Sequence, residues 1–307
     1  MLAHWIRFTL LLELATYGAL GAWLHHAHGW TVPVLAPAVL VFALGARFAL
    51  TCFTCFLGWY NRSPRQPGHE LGFVDVLRYL LGEYRALLAD NLYYLPWEAI
   101  ALRPDPPVTP TERIPVVLVH GYLSNRGYFR SLVRWLEARD VGPIFAPNFP
   151  VLFASIENFA AELHAQIERV ALGCGQPRVI LVCHSMGGLA ARRYLQDHGE
   201  RRVARLVTIA SPHHGTSLAN AGMGLNARQM CRGSDFLRSL DEAETRVKPG
   251  IATLSIYTPH DNLVSPQDTS VLSWARNVAV PGLGHVEIIT SERTFGVLLE
   301  ELRRQDN

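Results

Sequence analysis

The run Val179-Ile180-Leu181-Val182-Cys183-His184-Ser185-Met186-Gly187-Gly188-Leu189 constrains this chain more than any other segment. Four apolar strand-formers lead into a serine among small residues, and a helix-forming run from Ala190 to Leu195 follows. The string nearly matches G-x-S-x-G, in which a buried strand turns sharply into a helix and presents a serine hydroxyl at the turn. The turn is strained, so the residues two before and two after the serine must be small for strand and helix to pass closely. Cys183, small but not the usual glycine, and Gly187 hold those positions. The amide of Met186 opens the helix, where it can donate to an oxygen that gains negative charge.

Three further segments follow a matching order. Ala252 to Tyr257 reads as a strand, with Asp261 in the loop just past its end. Arg276 to Val280 reads as a short strand, followed by Pro281-Gly282-Leu283-Gly284-His285, whose glycines let the imidazole swing toward a partner. Serine, acid and histidine, each placed after a strand, give the roles: Ser185 attacks, His285 takes its proton, and Asp261 orients and stabilises the imidazole. Asp268 competes for the acid position; Asp261 is preferred because it follows the strand directly and precedes His285 by 24 positions. Upstream, Ile114 to Val119 reads as a buried strand ending in His120-Gly121. The loop after it supplies a second oxyanion donor, assigned to the Tyr122 amide with Leu123 as the near alternative.

With these segments in place, the chain from Ile114 to about Leu302 resembles an α/β-hydrolase of the bacterial lipase/esterase group. Val117-Leu118-Val119-His120-Gly121, Cys183 to Gly188, Ser211-Pro212-His213-His214-Gly215-Thr216 and Gly282-Leu283-Gly284-His285 carry the resemblance. The stretch from Leu254 to Asp261 and the strand after it are similar to the small bacterial triacylglycerol lipases. The resemblance implies a serine hydrolase cleaving carboxylic, lipid-like esters through an acyl-enzyme, with no organic cofactor. A thioesterase or acyltransferase using the same three residues is the alternative within enzymes; a catalytically silent hydrolase-like interaction module is the alternative outside them.

Other chemistry-bearing residues have plainer readings. His184 and His120 are expected to pack as hydrogen-bonded core histidines, the second ordering the oxyanion loop. Adjacent side chains diverge, so His213 and His214 are not expected to share a metal. Glu287 matches a position where some calcium-dependent relatives carry a carboxylate, but no second ligand is identifiable and no metal is expected. The net charge of +2, without a basic stripe or aromatic platform, gives no sign of a nucleic-acid partner. Lys248 is the one lysine among 28 basic residues. Five scattered cysteines suggest no disulfide framework, and Cys52 and Cys55 read as small membrane-facing residues.

The first sixty residues read as membrane material. Trp5 to Trp23 and Val32 to Tyr60 each reach the roughly 20 residues that cross a hydrocarbon core. Trp5, Trp23, Trp30, Trp59 and Tyr60 sit near the ends as interfacial anchors. The two spans form a hairpin, with Glu13 and Arg47 as partners across it; a cleaved signal peptide is the competing reading of the first span. Arg7 before the hairpin and Arg62 and Arg65 after it place the hydrolase on the cytoplasmic side of a bacterial inner membrane by the positive-inside rule. The expected partners are therefore a membrane and a lipid or small acyl-ester substrate.

The expected organisation is a two-helix membrane anchor over 1–62, an amphipathic helix and Pro-rich linker over 63–110, and a catalytic domain over 111–307. Leu71, Val74, Leu77, Leu81, Tyr84 and Leu88 recur at helical spacing, a face that packs on the hydrolase or on the membrane surface. Strands and helices alternate beyond the linker, which argues a largely parallel sheet with its site at the strand carboxyl ends. Ala219 to Val247 is expected to form a small helical cap over an acyl pocket, with plain surface packing as the other reading. Leu123, Phe149 and Leu152 are the chosen substrate-binding residues, with Tyr122, Val151 and Phe153 as further apolar candidates for its wall.

Overall fold

The computed structural model describes residues 1–64, 66–150 and 152–304. Arg65, used above for orientation, and Val151, named for the acyl wall, lie outside the described residues. The chain begins with α1 (Leu2–His28), α2 (Val32–Tyr60), α3 (Phe73–Ala89) and the short α4 (Glu98–Ala101). It continues as β1 (Val116–Val119), α5 (Arg130–Glu137), β2 (Ile144–Phe145), α6 (Ile156–Gly173), β3 (Val179–His184), α7 (Met186–His198) and β4 (Val203–Ile209). The last elements are α8 (Leu225–Gln229), α9 (Asp235–Arg246), β5 (Ala252–Tyr257), β6 (Arg276–Ala279) and α10 (Glu292–Arg303).

The strands form one sheet in the order β2-β1-β3-β4-β5-β6, and every pairing is parallel. Parallel neighbours need helical crossovers, which cover both faces and explain why the strands read as unbroken apolar runs. Alternate β1 residues point to opposite sides. Val117 and Val119 join a core with Leu163 of α6, Leu189 of α7 and Leu237 of α9. Val116 and Leu118 join a second core with Leu132 of α5 and Phe295 of α10. This is the α/β-hydrolase architecture expected from the sequence.

The amino-terminal helices differ in part from expectation. α1 and α2 are both long and joined by a short turn at Gly29, which sits at φ 69. Glu13 and Arg47 form the expected pair, at 2.7 and 2.5 Å. Among the described residues, however, only α2 is long and apolar enough to cross a membrane; the polar groups of α1, including Arg7, Glu13 and three terminal histidines, reduce its apolar character. Cys55 is buried rather than membrane-facing, on one helical face of α2 with Thr51 and Gly58.

Of the two surfaces on which the α3 stripe is expected to pack, the hydrolase does not take it. Tyr79, Glu83 and Ala86 are buried, whereas Val74, Leu77 and Leu81 of the apolar stripe stay exposed. The segment after β4 divides in two. α8 lies beside the loop at Leu152–Ala154, where the Asn226 amide group donates to Leu152 O and the Leu225 N–H donates to Phe153 O. α9 packs instead on the sheet flank, so only the first part of the expected cap approaches the site.

Candidate active site

Ser185 sits between β3 and α7 with φ 54 and ψ −126, a backbone conformation that a side chain rarely adopts. Its surroundings show why small residues flank it. A Cβ on Gly187 would come within 2.6 Å of the Val119 carbonyl oxygen, and one on Gly121 within 2.8 Å of Ser185 Cβ. Gly188 lies equally close to Ser211, just after β4. Cys183 is fully buried, and burial pushes its thiol pKa far up.

The structure brings three residues into line. His285 Nε2 stands 3.1 Å from Ser185 Oγ, and His285 Nδ1 stands 2.9 Å from Asp261 Oδ2. Asp261 Oδ1 accepts from the Leu263 and Val264 amides at 2.8 and 2.7 Å, which fixes the carboxylate at the end of β5. The backbone N–H of His285 donates to Asn262 Oδ1 at 2.9 Å. Burial disfavours a charged His285 ring, but Asp261 and the nearby Glu83 outweigh it and raise its pKa. Asp268 is exposed, and its backbone N–H bonds to Ser63 Oγ, away from this line.

Beside the serine is a cleft lined by Gly121, Leu123, Phe149, Leu152 and Met186, closed on one side by Met1–Ala3 at the start of α1. Met186 is the first residue of α7, so its amide belongs to the unpaired first turn. Tyr122 lies next to Gly121, and its hydroxyl bridges to Met223, donating to the carbonyl at 2.8 Å and accepting from the amide at 3.0 Å. The ring thus ties the loop after β1 to the segment ahead of α8. His120 accepts from the Phe149 amide at 3.2 Å, and burial lowers its pKa to about 4.

A family model described as the alpha/beta hydrolase family matches residues 116–295. The chain belongs to the alpha/beta hydrolase family. Curated relatives of this hydrolase are distant and partial. A triacylglycerol lipase of Pseudomonas fragi is 30% identical over 115 residues, 35% of this chain and 38% of that lipase. Lysosomal thioesterase PPT2-B of Xenopus laevis is 29% identical over 102 residues, 32% of this chain and 35% of that protein. The chain thus spans about a third of the length of the curated relatives it matches. The mature lipase BlEst2 of Bacillus licheniformis superposes with a TM-score of 0.55 at 22% identity, covering 64% of this chain and 96% of that one. Lipase B of Aspergillus fumigatus gives 0.53 at 17%, covering 63% and 53%. At these identities the superpositions show a shared fold.

His184 packs in the core, as expected. Its Nε2 lies 3.3 Å from the His285 carbonyl oxygen, and burial beside His285 holds the His184 pKa well below the usual value. His213 faces Thr208 Oγ1 at 3.0 Å, while His214 turns outward to Asp241. Among the described residues no group of three potential ligands could hold a metal ion. Glu287 packs against Gly82 of α3, and burial beside Glu83 raises its pKa to about 7.

Several residues that shape the site lie outside every motif. Asn262 donates through its side chain to Thr54 Oγ1 of α2 at 3.1 Å. Gln267 donates to the carbonyl oxygens of Gly58 and Asp261, at 3.1 and 2.8 Å. Glu83 accepts from the amides of Val286 and Glu287. Glu83 had one weak signal: a carboxylate four residues beyond Tyr79 and three before Ala86, on a common helical face.

Proposed function

We propose that this chain is a membrane-attached serine hydrolase that cleaves carboxylic esters of lipid-like acyl groups through an acyl-enzyme. The observation that carries the reading is the hydrogen-bonded line Ser185–His285–Asp261 at the carboxyl ends of β3 and β5. His285 takes the Ser185 proton as Oγ attacks the ester carbonyl, and Asp261 stabilises the imidazolium that forms. The amides of Met186 and Tyr122 receive the developing oxyanion. His285 then returns the proton to the leaving alcohol, and a water activated by the same ring releases the acid. Leu123, Phe149 and Leu152 line the small cleft beside Gly121 and Met186, where the carbonyl end of the acyl group would enter.

The amino-terminal region supports the lipid part of the reading. The start of α1 borders the cleft, and the end of α2 packs on the acid loop, so both roots of the hairpin stand at the active-site face. Leu11, Phe42, Phe53 and Phe56 along the helices, and Phe73, Val74 and Leu81 on α3, are exposed. Apolar surface on this scale marks a membrane or partner contact. A bilayer covering it would lie beside the mouth of the cleft. The anchor, the α3 linker and the catalytic domain are thus a proposed division with many contacts across it.

Thioester cleavage is the second reading, supported by the likeness to the thioesterase. A panel of acyl esters and thioesters, from acetyl to long-chain glycerides and phospholipids, tests both with full-length protein in bilayers. Higher turnover of long-chain embedded esters than of soluble acetyl esters and thioesters supports the lipid reading; the reverse order removes it.

A further inference from the structure

Glu83 lies outside the residues that match the family, yet it reaches the loop of His285. Its side chain is fully buried. Its carboxylate oxygens accept from the Val286 amide, each at 3.1 Å, and Oε2 accepts from the Glu287 amide at 2.8 Å. On the other side of the histidine, Gly284 presses on the same carboxylate; a Cβ there would meet Glu83 Cγ at 2.8 Å and the carboxyl group more closely still. One carboxylate therefore contacts the loop immediately before and immediately after His285.

A fully buried carboxylate between α3 and the hydrolase is a costly choice. Burying it without compensation costs several kcal/mol, and an apolar residue would join the two surfaces at lower cost. What the carboxylate provides is a grip on the two amides that open the short 3-10 turn Glu287–Ile289, directly after the histidine. We propose that Glu83 is a positioning residue that fixes His285 between Ser185 and Asp261 by holding the Val286 and Glu287 amides. The proposal rests on the reading of His285 as the catalytic base. It makes α3 a working part of the active site rather than a spacer.

Cys55 of α2, Tyr79 of α3, Asp90 just after α3, Tyr128 ahead of α5, and Asp261, His285 and Glu287 share the electrostatic surroundings of Glu83. Burial raises the Glu83 pKa, against the opposing pull of the Glu287 and Val286 amides and of His285; when ionised, Glu83 favours the protonated His285 ring. Glu83→Gln keeps one carbonyl acceptor and removes that charge. Glu83→Ala removes both.

The test uses full-length protein in detergent, a short soluble ester, and the kcat, KM and pH profile of each variant. Glu83→Ala is expected to lower kcat by about 10²-fold, the effect of a small misplacement of a catalytic group. KM should stay within about threefold, because ground-state binding is untouched. Glu83→Gln is expected to restore about tenfold of that loss and to move the acid limb of kcat/KM to lower pH. A contribution to stability alone would lower Tm and leave all three kinetic readouts of the folded enzyme in place. Folded Glu83→Ala with wild-type kcat overturns the proposal. If that variant does not fold, Glu83→Gln with wild-type kcat and an unmoved acid limb overturns it equally. Fluorophosphonate labelling of the same preparations separates the two readings. A wild-type protein unlabelled at Ser185 undermines the serine mechanism, whereas normal labelling beside an unimpaired Glu83→Ala undermines the role of Glu83 alone.

Discussion

Gly58 of α2 lies directly on the backbone of Asn262, the residue after Asp261: a Cβ on Gly58 would stand 2.7 Å from Asn262 Cα. The same Cβ would be 2.8 Å from the Asp261 carbonyl oxygen. A helix apolar enough to cross a membrane is therefore seated on the loop that carries the acid of the site.

Gly58→Ala should displace that loop. The neighbouring atoms are backbone and cannot rotate away, so overpacking of about 1–3 kcal/mol is expected. Turnover of a short soluble ester should fall by about 10-fold or more as Asp261 shifts. Gly45→Ala in the same helix meets nothing within 4 Å and is the control. Thermal unfolding and steady-state kinetics check both variants; equal behaviour would mean that the loop does not depend on the helix.

Removing residues before Arg103 is a stronger form of the same experiment. If the Pro-rich linker expected over 63–110 joined independent parts, such a truncation would be soluble and turn over short esters normally. The contacts of Thr54, Gly58 and Glu83 with the loops of Asp261 and His285 predict otherwise. Activity on short soluble esters should fall together with activity on bilayer lipids. Retained soluble-ester turnover would restore the simple tether.

This contrast shows what the sequence could reveal. The strands, the helices after them and the loop positions of Ser185, Asp261 and His285 are local patterns, and one-dimensional periodicity displays them. The docking of α2 and α3 depends on contacts across more than 200 positions, such as Asn262 with Thr54. No local pattern records them. The apolar stripe of α3 left two faces open as its packing surface: Val74, Leu77 and Leu81 face outward, while the face turned to the hydrolase carries Tyr79, Glu83 and Ala86. Leu123, Phe149 and Leu152 are apolar residues in the loops after β1 and β2, and they line one cleft.

Acid should inactivate the enzyme. His285 must be neutral to accept the Ser185 proton, and its pKa is raised above the ordinary 6.5. Activity should therefore be full above that raised value and fall as pH drops through it. Asp261→Asn removes the main opposition to burial, so the acid limb should move to lower pH. It should also lower kcat by about 10²–10⁴-fold through loss of the correct tautomer, less than Ser185→Ala. Asp268→Asn should leave both in place. A pH–rate series for the three proteins checks the signs.

Cys183 should be unreactive toward thiol reagents in the folded protein, since it is fully buried and its thiolate is strongly disfavoured. Cys183→Gly should retain hydrolysis. Cys183→Leu should be severe, about 1–3 kcal/mol or more, because the added methylenes have no room beneath the elbow. Thiol titration before and after unfolding, with activity of both variants, is the measurement.

Covalent trapping identifies the nucleophile, which is expected to be Ser185. Full-length folded protein is treated with a fluorophosphonate, and the adduct is located by intact mass and peptide mapping. One adduct is expected, on Ser185, formed in step with loss of ester hydrolysis and absent from Ser185→Ala. Folded protein that hydrolyses esters but carries no adduct on Ser185, or hydrolysis that survives Ser185→Ala, would contradict that assignment.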